Sequence, residues 1–119
     1  MINAKSKGKR GELEIAGLMR GYGYPKARRS AQYCGALGDA DVIGVDGLHI
    51  EVKYRERIND EDHLLQAEGD SRKGDVPVVM YRRSRENWKA LVRLNVFMTI
   101  WNELSDSQKR NIHEKLKTF

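Results

Sequence analysis

Cysteine is almost absent: Cys34 is the single one in 119 residues, which excludes an internal disulfide. The three histidines have no cysteine partners at zinc-site spacing, so no structural zinc site is expected. No apolar run approaches the roughly 20 residues that cross a bilayer, and no membrane span is expected. Met1, Ile2 and Asn3 lead into a basic, polar stretch instead of the apolar segment of a secretory signal, which points to a cytoplasmic protein. There is no internal repeat and no low-complexity stretch. A chain of this length forms about one compact domain, so residues 1–119 are expected to form a single unit. Its core should span about 7–94 and a helical extension about 95–119.

What the chain has in excess is positive charge. Lysine and arginine number 22 against 17 acidic residues, for a net charge of +5. A basic surface attracts phosphate backbones, which makes nucleic acid the leading partner. Total charge is weak support, since many basic domains merely carry solvated side chains. Its distribution says more: Lys5, Lys7, Lys9 and Arg10 precede the first predicted helix, Lys26, Arg28 and Arg29 follow it, and Arg82, Arg83 and Arg85 form a third cluster. Chain-distant clusters of this kind can converge on one face.

The first helical pattern runs from about Lys9 to Arg20, with Leu13, Ile15, Ala16 and Met19 as its apolar stripe. Gly21, Gly23 and Pro25 end it, and a short extended piece should follow over 26–31. A glycine-containing loop from Gln32 to Gly38 comes next. Residues 40–45 and 48–54 are rich in β-branched and apolar types with Asp46-Gly47 between them, the pattern of a β-hairpin. A helix is expected from Asn59 to about Arg72 on Leu64, Leu65 and Ala67, with Gly74 beyond its end. Residues 76–81 and 88–94 should be strands joined by an arginine-rich turn. The order implies an α/β mixed sheet with helices against its faces, because a crossover helix returns the chain parallel. Val96, Phe97, Ile100, Trp101 and Leu104 then share a helical face, and Ser105 with Gln108 has capping-box spacing for a last helix.

Along the strand 48–54, alternation puts His49, Glu51 and Lys53 on one side. An isolated Glu-x-Lys is usually a solvated surface pair of little worth. Asp41 changes the balance, because it stands ten positions before Glu51 on the other strand of the hairpin, within reach of it. Two neighbouring carboxylates repel unless a cation lies between them, and hard divalent ions suit such oxygen ligands. Magnesium fits best, since it takes one or two carboxylates, keeps several waters and binds substrate phosphate; manganese suits the same ligands. Such an ion polarises a phosphoryl oxygen and activates water, and a lysine alongside can neutralise developing charge, so phosphodiester hydrolysis is the expected chemistry.

The stretch from Gly38 to Lys53, GDADVIGVDGLHIEVK, resembles the core motif of the PD-(D/E)xK nuclease superfamily, with Ala40 where the family name has proline. Upstream, Lys7-Gly8-Lys9-Arg10-Gly11-Glu12 and Arg29-Ser30-Ala31 are similar to segments of the archaeal-type and phage Holliday junction resolvases. The segment Pro77-Val-Val-Met80 and the chain from Trp88 onward resemble their later strands. The resemblance covers about residues 7–94, and its combined order and spacing are more specific than any one motif. It implies a restriction-endonuclease-like fold and a magnesium-dependent DNA endonuclease, a homodimer acting on branched DNA such as a four-way junction. It also implies metal ligation by Asp41, Glu51 and Glu12, with Lys53 and Ser30 completing the catalytic set.

Several assignments stay open. Glu12 could be an early-helix acid favoured by the helix dipole, and Asp39 could replace Asp41 as ligand. Gln66 matches a glutamine near the active site of several relatives but equally suits a solvated helix surface. His49 is read as a spectator, one strand step further along the face, and Trp88 and Trp101 as core or interface residues. Lys7, Lys9, Arg10, Arg28, Arg29, Arg82, Arg83 and Arg85 are the candidate phosphate contacts. Rival readings are a flap-cleaving or nicking nuclease of the same fold, an RNA-processing enzyme, and a catalytically silent DNA-binding module.

Overall fold

A computed structural model of the chain describes residues 4–30 and 40–119. The predicted loop from Gln32 to Gly38, Cys34 and the alternative ligand Asp39 lie outside the described residues. Helix α1, Ala4–Gly21, begins earlier than its apolar stripe suggests, so Lys5, Lys7, Lys9 and Arg10 lie on the helix and not before it. Lysine and arginine are good helix formers, and these first turns bury little apolar surface that would reveal them in sequence. The buried face consists of Gly11, Ile15, Ala16 and Met19, while Leu13 turns outward. At Gly11 the helix lies close against the sheet, since a β-carbon there would stand 2.7 Å from Cβ of Tyr54. Any larger residue would push the helix away from the sheet.

The five strands are β1 (Arg28–Arg29), β2 (Val42–Ile43), β3 (Leu48–Tyr54), β4 (Val76–Arg82) and β5 (Lys89–Leu91), in that spatial order. All neighbours are antiparallel except β3 and β4, which are parallel because helix α2, Asp60–Asp70, carries the chain across between them. Asn59 caps α2, its side chain accepting from the Asp62 amide. In the hairpin, Leu48 N donates to Val45 O around the predicted Asp46-Gly47. Counting back from that turn would pair Ile43 with Ile50, yet Val42 is the partner. One extra residue is therefore accommodated on the β2 side, where Gly44 takes a φ of +92°. A β-carbon at Gly44 would collide with the Lys26 carbonyl.

Helix α1 packs Ile15, Ala16 and Met19 on one face of the sheet against Val42, Ile50, Val52 and Val78. On the other face α2 packs Leu64 and Ala67 against Val79, with Tyr81 and Leu91 beside them. Leu65, expected in this contact, is exposed. The layering is consistent with the restriction-endonuclease-like architecture expected from the sequence. Strand β5 ends sooner than predicted because Arg93 already stands at the N-cap of helix α3, Leu94–Glu103, with its guanidinium held by Glu61 and Glu68 of α2. A capping box at Ser105 and Gln108 starts helix α4, Asp106–Leu116, as its spacing predicts. Neither C-terminal helix buries a residue, and α3 exposes Leu94, Phe97, Met98 and Ile100. Among the described residues no helix is long and apolar enough to cross a membrane.

Candidate active site

Strand β3 is the middle strand of the sheet, and both of its faces are covered. The side that carries His49, Glu51 and Lys53 is therefore no solvated face: His49 and Glu51 are each only 3% exposed. Parallel pairing sets Glu51 beside Val79 and Lys53 beside Tyr81, on the α2 side of the sheet. Gln66 of α2 reaches the same place, its Oε1 lying 3.5 Å from Lys53 Nζ. Alternation thus predicted which side chains share the face, and the packed fold buries it at His49 and Glu51 while Lys53 stays half-buried.

Asp41 is positioned by its own backbone and by its side chain. Ser30 N donates to Asp41 O at 2.9 Å and Asp41 N donates to Ile50 O at 2.9 Å, stitching β1, β2 and β3 together at this point. Its carboxylate then takes over where the strand pairing stops, with Oδ2 accepting from Val52 N at 2.8 Å. A side-chain oxygen held in the hydrogen-bonding plane of the sheet can be sensed from both faces. Accordingly, the Asp41 charge raises the pKa of Glu51 on one side and contributes to raising that of Glu12 on the other.

The two glutamates meet this charge in different company. Burial and then the Asp41 charge push Glu51 up to about 8, and a hydrogen-bond contact with Asp41 adds to the rise, while Lys53 opposes it. Asp70 at the end of α2 raises it further. Glu51 also bonds His49, Nε2 to Oε1 at 2.9 Å, with both side chains 4% exposed. The histidine read from sequence as a spectator is therefore in direct contact with the central acid. Its signal was its place two residues before Glu51, which on a strand means the same face. Glu12 is also raised by burial, but Arg29 Nε donates to its Oε1 at 2.5 Å and opposes the rise. Arg29 pairs with Val42 in the ladder and so lies on the α1 face, where Glu12 projects from its helix.

The first and third basic clusters meet through Glu56, Ser84 and Glu14, and much of their charge is already partnered. Lys7 Nζ bonds Glu56 at 2.9 Å and Ser84 at 3.1 Å, and Arg83 donates to the Glu56 carbonyl. Arg82 is packed 4.1 Å from the Tyr54 ring centroid and pairs with Glu14, which makes it part of the α1–sheet contact. Arg10 pairs with Glu14 at 3.6 Å. Lys9 and Arg85 are exposed, and Arg28 is exposed with its guanidinium on the Lys26 carbonyl. A groove of about 420 Å3, lined by Lys7, Gly8, Lys53, Arg55 and Glu56 among others, opens beside the acidic site.

Among the described residues no three His, Cys, Asp or Glu side chains stand close enough together to hold a metal ion. What the structure does bring together is a contacting pair, Asp41 and Glu51, with Glu12 drawn aside by Arg29. Such a pair suits magnesium, which needs only one or two protein carboxylates beside waters and a substrate phosphate. No protein-family model matches the chain, and no curated protein matches it.

Proposed function

We propose that the protein is a magnesium-dependent DNA endonuclease that hydrolyses phosphodiester bonds, most similar in its motifs to Holliday junction resolvases. The observation that carries this reading is the half-buried Asp41 set against the buried Glu51. Two neighbouring carboxylates, one of them buried, are held at a cost that a divalent cation between them would relieve. The donor set fits the ion, and manganese would fit it too. When bound, it would polarise a phosphoryl oxygen and supply an activated water.

The chain's own residues do the rest. Asp41 and Glu51 provide the ligand oxygens, fixed in place by the Val52 amide and His49. Lys53, on the same face as Glu51, is placed to neutralise charge developing on the scissile phosphate. Lys7 and Arg55 line the groove through which a phosphate backbone would approach, and Ser30 and Arg29 flank Asp41 on the neighbouring strand. Paired nicks in a four-way junction need two such sites, and we assign the dimer contact to the apolar surface of α3, whose Phe97 and Ile100 are about half exposed.

Cleavage of labelled four-way junction, flap, duplex and single-stranded DNA, each with and without magnesium, tests the reading. Metal-dependent cutting with preference for the junction is expected. Cutting of plain duplex as readily as junction would leave a general nuclease. A second reading, a DNA-binding protein without catalysis, is favoured by the lack of a three-ligand group among the described residues. Junction binding with no cleavage in either magnesium or manganese would establish it.

A further inference from the structure

A glutamate that ligates a metal has a loose last joint. Rotation of its carboxylate about the terminal bond is broad and nearly two-fold, so a strand can fix Cα and Cβ while the ligand oxygens still turn. Something else has to set them. On the Asp41 side of the site the Val52 amide does this, with a 2.8 Å bond to Oδ2. On the Glu51 side the corresponding partner is His49, whose Nε2 lies 2.9 Å from Oε1.

An ionised carboxylate can only accept hydrogen bonds, so whenever Glu51 carries its charge the Nε2 of His49 must be the donor. The bond is sealed from water, since both side chains are 4% exposed. It is also short in sequence and stiff in structure: both residues belong to the fully flanked middle strand, with Ile50 between them buried at 0% exposure against the α1 side. Hydrogen bonds from outside the ligand set that orient a metal-binding carboxylate are worth about 10- to 100-fold in metal affinity.

We infer that His49 is a positioning residue: it holds the Glu51 carboxylate in the orientation in which, together with Asp41, it receives a divalent cation. This rests on the nuclease reading above and adds to it a residue that never touches substrate. The alternative is that His49 is simply a satisfied core histidine whose replacement alters stability and nothing else.

The test is Mn2+ uptake by the full chain without DNA, followed by loss of the free-ion electron paramagnetic resonance signal. Wild type is compared with His49→Leu, which removes the donor, and His49→Gln, whose amide nitrogen reaches about as far as Nε2. His49→Leu should bind Mn2+ about 10- to 100-fold more weakly while keeping the wild-type circular dichroism spectrum, and His49→Gln should recover most of the loss. In cleavage assays, the leucine variant should need correspondingly more metal for its half-maximal rate. Equal Mn2+ affinity in wild type and a folded His49→Leu overturns the inference alone. If the leucine variant does not fold, His49→Asn replaces it, because its amide falls one bond short. Weak binding by Asn beside near-normal binding by Gln supports positioning, and equal binding by the two overturns it. Wild-type protein that takes up no Mn2+ overturns the nuclease reading and this inference with it.

Discussion

Glu12, half-buried, and Glu51, buried, are two acids beside one aspartate, and they differ in what answers their charge. Glu12, on the α1 side, has the Arg29 guanidinium directly against it. Glu51, on the α2 side, has Asp41 in contact and a histidine behind it, and Lys53 only partly offsets the rise. Burial alone therefore does not mark a metal site. An acid with its own arginine has part of its charge answered, whereas one facing another acid is held in a state that a cation would improve. On the proposed function the comparison ranks the three acids of the sequence motif: Asp41 and Glu51 would be the ligand pair, and Glu12 would first have to leave Arg29 to join them.

The largest expected effect follows from that ranking. Asp41→Asn and Glu51→Gln should each lower cleavage by about 10^3-fold or more, and Lys53→Ala by about 10^2- to 10^3-fold, with DNA binding retained or tightened for the acid-to-amide changes. Glu12→Gln should lose roughly tenfold, because its charge is partly taken up by Arg29. Single-turnover rates in magnesium check the order, and Glu12→Gln as damaging as Glu51→Gln would break the comparison.

The next effect is on stability. The folded-state pKa of Glu51, about 8, lies above its ordinary value of 4.5, so the folded chain holds a proton that the unfolded chain releases. The stability from that proton is full below about pH 4.5 and is lost as pH rises toward 8. Metal-free protein should thus lose on the order of a few kcal/mol across this window in urea unfolding. Glu51→Gln should flatten the slope, and so should saturating magnesium. Glu12→Gln should change it much less, since Arg29 opposes the shift there.

Gly11→Ala separates the two sides by packing. Its new methyl would press on Tyr54 at 2.7 Å and push α1 off the sheet, costing about 1–3 kcal/mol. Metal uptake by Asp41 and Glu51 should survive, because neither is carried by α1. The smallest effect is expected at the rim of the groove. Arg83→Glu should weaken binding of every DNA sequence by a similar few-fold and lower the salt slope by about one. Arg82→Glu should instead reduce stability, since Arg82 is packed between Tyr54 and Trp88 and paired with Glu14.

Much of the architecture was legible because it is written in local pattern. Period-two alternation located β3 and its polar side, Asn59 and the Ser105–Gln108 box marked helix starts, and a crossover-length helix forced β3 and β4 parallel. The outward turn of Leu13 and Leu65 was not legible, because apolar identity shows what can be buried and not which neighbour arrives to bury it. The early start of α1 was hidden for the opposite reason, its first turns being polar and hardly buried.

By itself, then, the sequence determined the order of elements, the shared face of His49, Glu51 and Lys53, and the spacing that brings Asp41 across the hairpin. Those depend on repeat geometry a few residues long. Only the tertiary structure decided that the face is buried at His49 and Glu51, that the Asp41 carboxylate lies in the sheet plane between two glutamates, and that Arg29 claims Glu12 while His49 holds Glu51. Desolvation and charge pairing are set by whichever groups the fold packs together, and residues 17 positions apart, such as Glu12 and Arg29, carry no local sign that they will meet.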